Sequence, residues 1–225
     1  MALSFILAES ALELVPEEIR RSPAVASDSR RRGKEPFEIL LDRSFHHSSM
    51  ARLKESEKRG RPDLVHVALL SVTGTPLYLE GHVKVFVHTF PGLVLELEPK
   101  TRIPKNYLRF RGLMEKALVE QPEKGLVSVY RSTVPELVKR RSKSDLIIAF
   151  SIRGKMENLG DVSKEVAEAK SPAVIVGGFP HGHFSSETLS VPDRLVRIDE
   201  SPLEAHVVAS RVVYEVEKVS RRMND

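Results

Sequence analysis

Apolar positions along the chain alternate between short runs of strand length and longer stretches with helical spacing. Leu3–Ala8 is a near-continuous apolar run of the kind a buried strand needs. Val83, Val85 and Val87 alternate, Pro91 and Gly92 turn the chain, and Leu93, Leu95 and Leu97 alternate again, which predicts a hairpin. Short apolar runs predict further strands at Phe37–Leu41, Gly125–Tyr130, Asp145–Phe150, Ala173–Val176 and Arg194–Ile198. Between them lie stretches of helical spacing at Ala11–Arg21, Phe45–Lys58, Pro104–Glu120, Val134–Arg141 and Val162–Lys170. RPDLVHVALLSV, from Arg61, reads as a helix with Pro62 at its first position and Asp63 in the favourable first turn, a strand being the alternative. Pro202–Ser220 is a long last helix with Ala205, Val208, Val212, Val216 and Val219 on one stripe. Ser22–Pro36 mixes Ser, Pro and Gly with RRRGK and predicts a mobile basic loop. Strand and helix alternate, so the class is α/β, and 225 residues suit a single large domain.

Composition narrows the function classes. A hydrophobic content of 41% supports a substantial core, and no apolar run reaches the roughly 18 residues of a membrane helix. MALSFILAES lacks a basic start and meets Glu9 early, so it predicts a buried strand rather than a signal peptide. Absence of cysteine excludes disulfides, thiol nucleophiles and Cys-based zinc sites, and fits a cytoplasmic protein. The net charge of +4 is mild, so any polyanion partner must be argued from the distribution of charge.

That distribution is uneven. In TRIPKNYLRFRGLMEKAL, at 100° per residue, Arg102, Lys105, Arg109 and Lys116 fall within about 60° of one another. Ile103, Tyr107, Phe110, Met114 and Leu118 gather on the other side. Stacked like charges repel, and a phosphate backbone relieves that. RRRGK from Arg30 and KRRSK from Lys139 are candidate extensions of the surface.

VIVGGFPHG, from Val174, is a strand running into a glycine loop. It is neither a P-loop, lacking the Lys-Ser/Thr, nor a dinucleotide fingerprint. Comparable strand ends occur at 149–151 and 198–203. Ligands of α/β sheets bind outside the carboxyl ends of strands. Glycines there admit a planar ring close to the backbone, with Phe and Pro to pack on its faces. No histidine pair has metal-ligand spacing, so no metal is expected. His66 and His206 read as core or interface residues, and Asp42 as a helix cap.

LLDRSFHHSSM, RPDLVHVALL, FVHT, TRIPKNYLRFRGLMEKAL, VGGFPHG and SPLEAHVVAS, in this order, resemble the ribosomal RNA small-subunit pseudouridine N1-methyltransferase family, across nearly the whole chain. The resemblance implies a SPOUT-type, Rossmann-like parallel sheet with a C-terminal trefoil knot, and an inserted hairpin and basic helix near 81–120. It implies S-adenosylmethionine as cofactor, a homodimer, methylation of N1 of a pseudouridine in small-subunit ribosomal RNA, and a role in ribosome biogenesis beside ribosomal proteins. Carried over residue by residue, it assigns the cofactor to Ile148, Gly177, Gly182, His183, Phe184, Ile198, Asp199, Glu200, Ser201, Pro202 and Leu203. RNA contacts fall to Arg61, Arg102, Lys105 and Arg109, with Arg61 and Asp63 at the chemistry. Asp63 matches a residue that braces the arginine, a role favoured over general base. Lys105 departs from the family's frequent arginine and keeps charge without bidentate geometry. The alternative is a non-catalytic RNA-binding assembly factor that keeps the fold. A nucleotide-dependent oxidoreductase fails for want of the dinucleotide fingerprint.

Overall fold

The structure is a computed structural model and describes residues 2–222. β1 (Leu3–Ser10) is buried along its whole length. An irregular segment with a 3-10 turn at Glu17–Ile19 leads to α1 (Pro23–Arg32). After a 3-10 turn at Pro36–Glu38 come α2 (Arg43–Met50), a 3-10 turn at Ser56–Lys58, α3 (Pro62–Thr73) and α4 (Pro76–Leu79). The hairpin β2 (Val83–Thr89) and β3 (Leu93–Leu97) precedes α5 (Tyr107–Glu120), β4 (Val127–Arg131) and α6 (Val134–Leu137), which runs into a π-turn at Val138–Ser142. The rest is β5 (Leu146–Met156), α7 (Leu159–Glu168), β6 (Pro172–Gly177), α8 (Ser186–Leu189), β7 (Arg194–Arg197) and α9 (Ala205–Arg222). No helix of the described residues is long and apolar enough to cross a membrane.

These strands form one sheet of order β4-β3-β2-β1-β6-β5-β7. β2, β1, β6, β5 and β7 run parallel, while β3 pairs antiparallel with both β2 and β4. The sheet is therefore mixed: the expected hairpin is built into it, with β3 its one antiparallel strand and β4 the edge beyond. The side-chain period of two divides the core between the faces. Leu3, Phe5 and Leu7 join Val174, Val176 and Ile148 beneath α3, α5 and α9, and Ile6, Ala8, Ile175 and Ala149 face α6 and Phe184. The apolar stripe of α9 is spent here: Ala205, Ala209, Val212, Val213 and Val216 are buried within the chain against α3 and α7.

The amino-terminal quarter departs from the sequence reading. Ala11–Arg21 is an irregular segment with a 3-10 turn at Glu17–Ile19, and Phe37–Leu41 is a 3-10 turn followed by a single bridge between Leu14 and Leu40. Val15, Ile19, Ile39, Leu41 and Met50 bury themselves in a separate small core. The expected basic loop is instead α1, with Pro23 in its first turn, Gly33 at φ +61° closing it, and Arg30–Arg32 in the last turn, where the helix dipole favours cations.

Glu115 of α5 holds that helix down. Its carboxylate is 1% exposed, accepts from Arg32 at 2.6 Å and Lys34 at 2.7 Å, and accepts from the Leu40 N–H at 3.1 Å. Burial pushes its pKa up, but these donors outweigh it and leave it below the usual value. Glu115→Gln removes a charge shared by three donors and should cost about 3–5 kcal/mol in denaturant unfolding. A depressed carboxylate stabilises the fold above its unfolded-state pKa and loses that contribution as pH falls through the folded one. The gap between wild type and variant should therefore close in acid.

Candidate functional site

A cleft of about 400 Å³ opens at the carboxyl ends of β6 and β7 and beside the middle of β5. Its size falls within the roughly 300–1,000 Å³ of clefts that hold small ligands. Gly177 ends β6, and Gly178 crosses close to β1: its N–H donates to the Ala8 carbonyl at 2.8 Å and its carbonyl accepts from the Ala11 N–H at 2.8 Å. A Cβ on Gly178 would lie 2.8 Å from the Ser10 Cα, so only glycine fits. A Cβ on Gly177 would meet the Phe179 ring at 2.9 Å. Gly182 turns the loop back at φ +97°, a left-handed conformation natural to glycine. Phe179 and Phe184 close the loop edge to face, with ring centroids 5.6 Å apart.

The opposite wall follows β7. Ile198, Asp199, Ser201, Pro202 and Leu203 line it, as Gly177, Gly182, His183 and Phe184 line the loop side. Asp199 accepts from the Ser201 N–H at 3.1 Å and from Arg211 at 3.1 Å. The Ser201 N–H first, then Arg211, hold its pKa below the usual carboxylate range. Two expected residues lie off the wall. Glu200 is exposed outside it, and Ile148 is fully buried two residues short of Phe150, where the wall begins.

The strand end expected at 149–151 supplies Phe150 and Ser151 to the cleft, while Ile152, Arg197 and Val208, which also line it, were not singled out in the sequence. The strand expected to end at Phe150 continues to Met156, with its register against β7 broken between Phe150 and Lys155. Gly154 permits that passage, since a Cβ there would lie 2.5 Å from the Val196 carbonyl carbon. The alternating apolar pattern stops at Phe150, and nothing in it announces a bulge.

Arg61 enters the cleft from the start of α3. Its Nε and Nη2 donate to Asp63 Oδ1 and Oδ2 at 2.8 and 2.9 Å, a two-pronged pair. The bond to Asp63 raises the arginine pKa. Burial would raise that of Asp63, but Arg61 outweighs it and keeps the carboxylate below its usual range. Asp63 is thus weakly basic and already engaged: it aims the guanidinium. Nearby, Asp42 accepts from the Ser44 N–H at 2.9 Å as a helix cap and from the Tyr107 hydroxyl at 2.8 Å.

The basic face is built differently from the sequence reading. α5 begins at Tyr107, capped by Asn106, so Arg102 and Lys105 lie on an extended lead-in rather than on the helix. Buried Ile103 and the Pro104 carbonyl, 2.7 Å from His66 Nε2, fasten that lead-in to α3, the helix that starts at Arg61. His66 is a satisfied core residue, stacked on Phe110 at 4.3 Å. Arg102, Lys105 and Arg109 are exposed. Lys116 leans 4.0 Å from Glu120, and Arg32 and Lys34 are committed to Glu115, so neither Lys116 nor RRRGK simply extends the face. KRRSK sits on the π-turn before β5, at the amino end of the strand that leads to the cleft.

The model of a family described as EMG1/NEP1 methyltransferase matches residues 5–217. The chain is 41% identical to the ribosomal RNA small subunit methyltransferase Nep1 of Staphylothermus marinus, over 94% of this chain and 93% of that protein. It is 38% identical to the protein of the same name from Pyrococcus furiosus, over 96% of each. Among solved structures, it is similar to Archaeoglobus fulgidus Nep1 bound to S-adenosylhomocysteine, with a TM-score of 0.86, 36% identity, and coverage of 97% and 99% of the two chains.

Proposed function

Because the chain belongs to the EMG1/NEP1 methyltransferase family, we propose that it binds S-adenosylmethionine in the strand-end cleft and methylates N1 of a pseudouridine in small-subunit ribosomal RNA. The observation that carries this reading is the braced Arg61–Asp63 pair on the wall of a glycine-looped cleft. The cleft residues fit the cofactor. Gly177 lets the Phe179 ring pack against the loop backbone, where a Cβ would lie 2.9 Å from it, and Phe150, Val176, Val196 and Leu203 offer apolar packing for a purine.

When bound, the cofactor supplies an electrophilic methyl group. The protein's own part is orientation and charge stabilisation. The loop from Gly177 to Phe184 and the wall from Ile198 to Leu203 hold the donor and exclude water. Arg61 donates to a ring oxygen of the target base and favours the negative charge that grows as the N1 proton passes to solvent. Asp63 keeps the guanidinium aimed while contributing little basicity. A calorimetric titration with S-adenosylhomocysteine tests the cofactor assignment. Saturable binding at one site per chain supports it, and no binding at millimolar ligand contradicts it.

Arg102, Lys105 and Arg109 hold RNA phosphates in this reading. Phosphate contacts contribute salt-dependent affinity that is largely independent of sequence. Arg102→Ala should weaken RNA binding and reduce the slope of log affinity against log salt by roughly one unit. An unchanged slope in titrations at several salt concentrations would mean that the face is only solvated.

The same reading includes a C-terminal knot, a homodimer, a cytoplasmic location and action during small-subunit assembly. With the α9 stripe used inside the chain, pairing falls to the outer surfaces of α3 and α9, where Val67 and Tyr214 are exposed. Light scattering at micromolar concentration reads a dimer mass if this is right and a monomer mass if it is not.

A further inference from the structure

A buried charge pair joins three segments that the catalytic reading leaves unconnected. Glu9, near the end of β1, adopts φ +51°, uncommon for a residue with a side chain. Its Oε2 accepts from Lys58 Nζ at 3.0 Å and its Oε1 accepts from the Ser185 N–H at 2.7 Å, just past the glycine loop. Glu9 is 7% exposed and Lys58 5%. Buried charges persist only when paired, and here each has its partner. The Lys58 ammonium also reaches Glu55 at 3.1 Å and lies 5.2 Å from the Phe179 ring centroid. Its stem fills the space beside Gly182, where a Cβ would sit 3.1 Å from the Lys58 Cε. One lysine therefore touches the aromatic and the glycine that shape the cleft, and through Glu9 the residue after Phe184.

Lys58 stands three residues before Arg61 on a tightly fastened segment. Arg59 makes a forked pair with buried Glu13 at 2.7 Å in both prongs. The Gly60 carbonyl accepts from the Arg43 N–H at 2.9 Å, and the Arg61 N–H donates to the Ala11 carbonyl at 3.1 Å. A shift of the glycine loop has little slack to absorb it before it reaches Arg61.

We propose that Lys58 is a positioning residue that couples the cofactor loop to Arg61, so that filling the cleft and binding RNA at Arg61 favour one another. The coupling rests on the cofactor assignment above. Linkage makes it reciprocal: the factor by which RNA tightens the cofactor equals the factor by which the cofactor tightens RNA.

The probe is S-adenosylhomocysteine, titrated into the protein with and without a saturating pseudouridine hairpin. In the wild type the hairpin should lower its Kd by roughly 5-fold or more, the usual span of such couplings. Lys58→Met keeps the stem but removes the charge, and should weaken the ligand about tenfold, on the order of one buried charge-assisted bond. It should also speed amide exchange of residues 177–185 in ligand-free protein while leaving α3 unchanged. That variant strands the Glu9 carboxylate, so the double variant Lys58→Met with Glu9→Gln removes both charges at similar volume. It should fold yet lose the coupling. A wild type whose Kd is the same with and without hairpin overturns the proposal without any variant. So does a double variant that retains the wild-type factor. A wild type that binds no S-adenosylhomocysteine overturns the cofactor assignment and this coupling with it.

Discussion

Arg61→Ala should lower the single-turnover rate of methyl transfer by roughly 10²–10³ at saturating RNA, the loss typical of one donor aimed at developing charge. RNA affinity should fall far less. The asymmetry follows from when the contact matters: a donor to a ring oxygen bonds weakly to the neutral base and strongly as the proton leaves. Asp63→Asn keeps the shape but removes the charge that holds Arg61 through two bonds of 2.8 and 2.9 Å, so it should fall between wild type and Arg61→Ala. Were Asp63 the general base, Asp63→Asn would be at least as damaging as Arg61→Ala. A wild-type rate for Arg61→Ala once RNA saturates would remove Arg61 from the chemistry.

Gly177→Val should abolish measurable binding of S-adenosylhomocysteine with the fold intact. The added Cβ lies 2.9 Å from the Phe179 ring, the movable end of a side chain, so the protein can yield by turning that ring into the cleft. The structure survives and the ligand's space does not. Gly178→Ala is the contrasting variant. There the new atom meets the Ser10 backbone at 2.8 Å, which cannot step aside, and the expected loss is of stability. Circular dichroism separates the two. Unchanged ligand affinity in Gly177→Val would move the cofactor elsewhere.

Much of the sheet was legible because its signals are local. Continuous apolar runs fix β1 and β6, whose two faces are both covered, and the last helix follows β7 as expected, opening at Ala205 rather than at Pro202. The glycine loop, with its Phe and Pro, announced a cleft at the strand ends. The amino-terminal quarter misled for a physical reason. Leu12, Val15 and Ile19 have helical spacing, yet an irregular segment delivers them to the core, and α1 buries only Val25 among its apolar residues. The helix is held instead by Glu115, more than eighty residues away along the chain. Signals for that helix were present in Pro23 and Gly33, but the RRRGK run concealed them. The lead-in before α5 could have been located from Asn106, a preferred cap, which puts Arg102 and Lys105 outside the helix. The pairing of Glu9 with Lys58, and with it the link between loop and Arg61, joins residues 49 apart and has no one-dimensional signature.

In the proposed function the cleft and Arg61 together act on the N1 position of pseudouridine. Two hairpins from small-subunit ribosomal RNA, identical except for pseudouridine or uridine at one loop position, test it directly. Each is incubated with protein and S-adenosylmethionine and digested to nucleosides for mass spectrometry. A gain of one methyl group on N1 of the pseudouridine, and none on the uridine hairpin, whose N1 is occupied by the glycosidic bond, is the predicted result. Equal methylation of both hairpins, or of neither while S-adenosylhomocysteine still binds, would contradict it.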